Sequence, residues 1–110
     1  MPQYTVEIYQ DERGREPISE WLFALRDVKA RARIRNRIAR IAELGAFGDV
    51  EPVGEGVYEL RFFFGPGYRV YYGQAGDRIV LLLCGGSKRT QPRDIRRAKE
   101  LFNEYLRRLG

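Results

Sequence analysis

With 110 residues, of which 44% are hydrophobic and 32% charged, the chain is expected to form one globular domain over residues 1–110. No apolar run approaches the roughly 18 residues that a membrane helix needs. The N-terminus lacks a basic start followed by an apolar run, so we expect neither a membrane span nor a secretory signal. A net charge of +5 favours a nucleic acid, a ribosome or an acidic protein as the partner.

Histidine is absent from the chain, which removes the commonest general base and the commonest metal ligand together. The single cysteine, Cys84, cannot form an internal disulfide and lies in the most apolar stretch, where a buried thiol is expected. We therefore expect no metal and no cofactor, and a protein of the reducing cytoplasm.

The first half of the chain predicts a strand and a helical hairpin. Residues 3–10 alternate between apolar and polar, which is typical of a strand. Helical spacing of apolar residues predicts a helix over 17–26. Isoleucines spaced by four and three residues within 34–41 predict a second helix, which Gly45 ends.

The polar face of the second helix carries six cations: Lys29, Arg31, Arg33, Arg35, Arg37 and Arg40. These side chains are candidates for binding RNA or the ribosome, together with Arg89 further along the chain. A solvated helix face is the competing interpretation.

The second half predicts three strands and a last helix. Residues 45–56 are rich in Gly and Pro and are expected to form a loop. Strands follow at 57–64, 68–74 and 78–84, the last of them apolar on both faces and therefore interior. A helix over 92–109 completes the order βααβββα, an α+β domain with a mostly antiparallel sheet.

The turn at 65–67 decides which residues share a face of the sheet. A two-residue loop would pair residues of opposite parity, whereas a three-residue loop pairs residues of like parity. Only the second separates apolar from polar side chains, so we expect it. One face would then hold five residues: Glu59, Arg61, Phe63, Arg69 and Tyr71. Lys88 follows the last strand and could reach the same surface.

Cations held together on a sheet suit the cleavage of RNA without a metal. The 2′-hydroxyl can be the nucleophile, and the planar fork of arginine matches the oxygens of the phosphorane that forms. Glu59 and Tyr71 are the candidate bases, although nearby arginines would lower the pKa of Glu59 and the resting pKa of Tyr71 is high. A structural ion pair is the competing role for Glu59.

Several segments together resemble the RelE/ParE toxin superfamily, in its phage-derived HigB-like branch: GEGVYELR, GPGYRVYYG, LLLCGGSK and TQPRDIRRAK, with PISEWLFAL and GAFGDVEPVGEG. The resemblance implies the toxin of a type II toxin–antitoxin pair with a RelE-like fold. It implies a ribosome-dependent mRNA endonuclease in which Arg61, Arg69 and Lys88 or Arg89 stabilise charge. The chain departs from the RelE pattern in lacking a histidine or tyrosine at the start of the last helix.

The partners implied by the resemblance are mRNA, the ribosome and a small helix-turn-helix antitoxin, with operator DNA reached only through the antitoxin. Two alternatives stay open: a ParE-like inhibitor of DNA gyrase, and an RNA- or ribosome-binding module without catalysis. Cations converging on one sheet face favour RNA cleavage over gyrase inhibition.

Overall fold

The computed structural model describes residues 3–110 of the chain. The elements run β1 (Thr5–Ile8), α1 (Pro17–Ala24), α2 (Val28–Leu44), β2 (Val50–Gly54), β3 (Val57–Arg61), β4 (Tyr68–Ala75), β5 (Ile79–Ser87) and α3 (Gln91–Leu109). A short 3-10 turn, Lys88–Thr90, leads into α3. Across these residues no helix combines the length and apolarity that crossing a lipid bilayer requires.

The strands form a sheet of order β1-β5-β4-β3-β2. β1 pairs with β5 in parallel, and the other neighbours are antiparallel. The expectation of an α+β domain with a mostly antiparallel sheet is confirmed, and β5 is an interior strand as its two apolar faces indicated.

The expectation of a loop over 45–56 is wrong for residues 50–54, because β2 lies there and forms one edge of the sheet. Glu55 and Gly56 have φ angles of 57° and 79° and make a two-residue turn into β3. Positive φ at both central residues is the geometry of a type I′ hairpin turn. Pro52 is tolerated because an edge strand can spare a donor. The element order is therefore βααββββα.

The β3–β4 hairpin has the predicted faces and a longer turn. Arg61 lies opposite Arg69, and Leu60 lies opposite Val70, so residues of like parity face each other as expected. The Phe62 amide donates to the Tyr68 carbonyl at 3.0 Å, which leaves five residues in the turn instead of three.

Helices cover both faces of the sheet. The face under α1 and α2 holds one apolar core: Ile18, Ile34, Ile41, Leu60, Phe62, Val70, Tyr72, Val80 and Leu82. The face under α3 holds a second: Tyr9, Val57, Tyr71, Leu81, Leu83, Cys84, Ala98 and Phe102. Because strand side chains alternate, the polar face predicted for the hairpin is the one that α3 partly covers.

Candidate functional site

Glu59 lies at the centre of a polar cluster on the α3 side of the sheet. Its side chain is 0% exposed. It accepts hydrogen bonds from Arg61 Nε at 3.0 Å, from the Tyr71 hydroxyl at 2.8 Å and from Gln91 Nε2 at 2.8 Å. A buried carboxylate of this kind is stable only because donors surround it.

The protonation of Glu59 follows from these contacts. Burial acts to raise the pKa of the carboxyl, but hydrogen bonds from Gln91, Arg61 and Tyr71 outweigh burial and hold the pKa below its ordinary value. Glu59 is therefore ionised at neutral pH and is a poor proton acceptor.

Arg69 lies on β4, directly opposite Arg61, and its side chain is only 7% exposed. Its Nη1 donates to the backbone carbonyls of Gly67 at 3.1 Å and Tyr68 at 3.2 Å. Its Nε is 3.8 Å from Glu59 Oε2 and has no hydrogen-bond partner within residues 3–110. The hairpin thus holds the Arg69 guanidinium in place through Nη1 and leaves its buried Nε–H group without an acceptor among these residues.

Arg61 ends β3 and is the solvent-facing member of the arginine pair, with a side chain 32% exposed. Besides Glu59, it lies 4.0 Å from a carboxylate oxygen of Glu51 on β2. Since β2 was missed in the sequence, this neighbour was missed too. A second buried carboxylate on the α3 side of the sheet, Asp94, accepts a hydrogen bond from the Thr90 hydroxyl and lies 3.5 Å from Arg93.

Lys88 lies at the same end of the hairpin as Arg69. Its amide donates to the Gly67 carbonyl at 2.8 Å, and its side chain is exposed. A Cβ placed on Gly67 would lie 3.4 Å from Lys88 Cβ and 3.5 Å from Arg69 Nη1. Arg89 is exposed and lines a shallow surface pocket on α3 with Arg93 and Arg96.

Tyr71 lies on the predicted face of the sheet, where it is fully buried in the core beneath α3. Burial first, and then the hydrogen bond to ionised Glu59, raise the pKa of its phenol well above the ordinary value. The phenol therefore donates to Glu59 and is not a base near neutral pH. Phe63, also expected on this face, lies in the turn beyond β3.

The cations of α2 are divided among different surroundings. Arg37 donates to the carbonyls of Phe47, Asp49 and Arg61, so it ties α2 to the sheet. Arg31 donates to the Phe23 carbonyl at 3.1 Å. Arg35 lines an apolar pocket between α1 and α2.

The remaining three cations of α2 lie at the surface. Arg33 has its guanidinium carbon 3.9 Å from the centre of the Phe64 ring, while Lys29 and Arg40 are exposed. Of the six, Arg33 and Arg37 approach the Arg61 end of the hairpin, where they line one cavity with it.

Gln91 is the contact that sequence reasoning missed. It begins α3, and the docking of that helix brings its amide to Glu59. Its position just before Pro92 marks a helix start, but nothing in the local sequence indicates a partner 32 residues away. In the part of the chain that the structure describes, no three Cys, Asp or Glu side chains form a group that could hold a metal ion.

Comparison with known proteins agrees with the resemblance at the level of the family. Residues 20–103 match the family model described as "Phage derived protein Gp49-like (DUF891)". The chain is also similar to an uncharacterised protein of Haemophilus influenzae, with 46% identity over 84 residues, which are 76% of this chain and 84% of the relative. The chain therefore belongs to the phage-derived Gp49-like family, a toxin-like family of the RelE/HigB type.

Proposed function

We propose that the protein is the toxin of a type II toxin–antitoxin pair and cleaves mRNA on the ribosome without a metal or cofactor. The observation that supports this most is the pairing of Arg61 with Arg69 across β3 and β4, beside the buried carboxylate of Glu59. Like charges opposite each other destabilise a sheet, so such a pair is expected where an anion is to be bound.

The reaction would break one phosphodiester bond of the message. The 2′-hydroxyl loses its proton to solvent as its oxygen attacks phosphorus, and the bond to the 5′-oxygen breaks. The 5′-oxygen takes a proton from solvent, so the products are a 2′,3′-cyclic phosphate and a 5′-hydroxyl. Arg61 and Lys88, both solvent-accessible, would contact the phosphate. The buried guanidinium of Arg69 would stabilise the negative charge of the phosphate without contacting solvent. Fixed donors aimed at developing charge are commonly worth about 3 kcal/mol each.

The lack of an available base among the candidate residues supports a reaction that takes place on the ribosome. Glu59 is ionised and its oxygens already accept three hydrogen bonds, and Tyr71 is a donor with a raised pKa. The chain thus offers charge stabilisation without an available base among its candidate residues. A message held by the ribosome with its 2′-hydroxyl in line would need less help, because alignment alone lowers the barrier.

The remaining parts of the proposal follow from the toxin-like family. The partner would be a helix-turn-helix antitoxin that covers the cationic end of the hairpin, and operator DNA would be bound only through that antitoxin. The site of action would be the cytoplasm, where translating ribosomes are found.

Primer extension on a reporter mRNA, after the toxin is induced in cells, tests the proposal. We expect cuts in phase with codons that vanish when translation of the reporter is blocked. Intact mRNA together with double-strand breaks in DNA would overturn the proposal in favour of gyrase inhibition. Growth arrest with neither mRNA cuts nor DNA breaks would overturn it in favour of a binding module.

Variants connect the cuts to the arginine pair. Arg61→Ala and Arg69→Ala should each abolish growth arrest and mRNA cleavage. Arg15→Ala, which removes an exposed arginine paired with Glu20, is the matched control and should stay toxic. Thermal unfolding by circular dichroism identifies variants that remain folded. Because Arg61 is partly exposed, its alanine variant is the one expected to keep most of its stability. Full toxicity of a folded Arg61→Ala protein would refute the role of the pair.

A further inference from the structure

A cavity of about 380 Å³ lies between α2 and the β3–β4 turn, beside the arginine pair. Among residues 3–110 it is lined by three arginines, one aspartate and three phenylalanines: Arg33, Arg37, Arg61, Asp49, Phe62, Phe63 and Phe64. Arg61 contributes to the lining of this cavity, and its Nε donates to Glu59 in the neighbouring polar cluster.

Phe63 is the unusual member of the lining because its side chain is 76% exposed. Its neighbours in the chain differ: Phe62 is buried and Phe64 is half-buried against the α1 and α2 side of the sheet. A phenylalanine ring left in water forgoes the stabilisation that its burial would give. An exposed, flat ring next to a partly exposed arginine is a surface on which a base can stack.

The other walls of the cavity are stacked pairs of arginine and phenylalanine. Arg33 lies over the Phe64 ring, with 3.9 Å from the guanidinium carbon to the ring centre, and Arg37 lies over Phe62 at 4.5 Å. Arg37 is also fixed by the carbonyls of Phe47, Asp49 and Arg61. The cavity therefore has a preformed, cationic wall made of flat groups.

We propose that this cavity binds an unpaired base of the RNA, stacked on Phe63, with the adjoining phosphates on Arg33 and Arg61. The proposal rests on the proposed function, since it takes RNA to be the substrate, and it assigns base selection to the turn of the hairpin. RNA fits better than an acidic protein segment because the cavity presents planar groups for stacking beside cations for the backbone, the combination used for single-stranded nucleic acid.

The test is binding of a single-stranded RNA that carries one 2-aminopurine, at low salt and without ribosomes. The fluorescence of 2-aminopurine is quenched when the base stacks, and this readout does not depend on cleavage. We expect quenching by the wild-type protein. Phe63→Ala should weaken binding about tenfold and abolish quenching, since stacking on an aromatic residue is worth roughly 1–3 kcal/mol per base. Phe63→Trp should restore both.

Phe23→Ala is the matched control, because Phe23 is 71% exposed on α1 and does not line the cavity. It should bind and quench as the wild type does. Equal binding and quenching by Phe63→Ala would overturn the proposal and assign the exposed ring to a protein contact, and so would absence of RNA binding by the wild type. Uncut reporter mRNA with Phe63-dependent quenching would instead overturn the proposed endonuclease activity alone.

Discussion

Replacing Glu59 by Gln removes one negative charge from a fully buried position while keeping the size of the side chain. The change leaves Arg69 buried with its Nε 3.8 Å from a neutral amide instead of a carboxylate. It also replaces one acceptor oxygen by an amino group, which must face either Arg61 or the Tyr71 and Gln91 donors. The variant therefore tests whether the carboxylate holds the two arginines in place.

The expected loss of stability can be bounded from the burial of each partner. Removing one partner of a buried ion pair costs about 3–5 kcal/mol. Because Arg61 is 32% exposed and water can replace part of its interaction, we expect the lower end, about 3 kcal/mol. At about 4 °C per kcal/mol for a domain of this size, the melting temperature should fall by roughly 12 °C.

The dependence on pH separates loss of charge from loss of shape. The pKa of Glu59 is lowered in the folded protein, so the unfolded chain binds a proton first as the pH falls. The stabilisation is present above the ordinary pKa of about 4.3 and is lost as the pH falls through the lower folded value. Urea unfolding should show a difference between wild type and Glu59→Gln that is full at pH 7 and shrinks toward pH 3.

Glu51→Gln supplies the matched control. Glu51 lies 4.0 Å from Arg61 and is exposed, so neutralising it should change the free energy of unfolding by less than about 0.5 kcal/mol. A Glu59→Gln protein as stable as this control would refute the reasoning. A stability difference that stays constant from pH 7 to pH 3 would show that Glu59 is not the ionised centre of the cluster.

Two further predictions concern the core beneath α3. Cys84 is buried, and burial raises the pKa of its thiol to about 12. At pH 8 a thiol reagent should therefore label Cys84 only as fast as the protein unfolds. Stoichiometric labelling of the native protein would contradict this. Gly73→Ala would place a methyl group in the Phe102 ring and should cost about 1–3 kcal/mol in urea unfolding. Phe102→Leu should then lower the free energy of unfolding less in the Gly73→Ala background than in the wild type.

The faces of the β3–β4 hairpin were predictable, because burial of one side of a sheet makes apolar and polar residues alternate along each strand. Leu60 and Val70 are apolar, Arg61 and Arg69 are charged, and only pairing of like parity keeps them apart. The length of the turn was not predictable in the same way, since three or five residues preserve the same parity. β2 was missed because Pro52 and the surrounding glycines indicate a loop, and an edge strand tolerates them.

The surroundings of the candidate site were harder to predict than its members. The apolar stripe of α3 indicates a packed helix, but it does not say which face of the sheet the helix covers. That choice buries Tyr71 and brings Gln91 to Glu59. Arg37 shows the same limit, because its bonds to the carbonyls of Phe47, Asp49 and Arg61 depend on how the loop before β2 is folded.

The arrangement of charge around Glu59 separates a structural ion pair from a site for an anion. One carboxylate and one arginine would suffice for a structural ion pair, and a second arginine directly opposite the first adds repulsion. The other buried carboxylate, Asp94, accepts a hydrogen bond from Thr90 and pairs with Arg93. Lys88, exposed at the same end of the hairpin, adds a third positive charge, and Arg69 Nε lacks a hydrogen-bond partner among residues 3–110. A phosphate bound there would offset the repulsion, so phosphate-containing ligands should stabilise the folded protein more than they stabilise an Arg61→Ala variant.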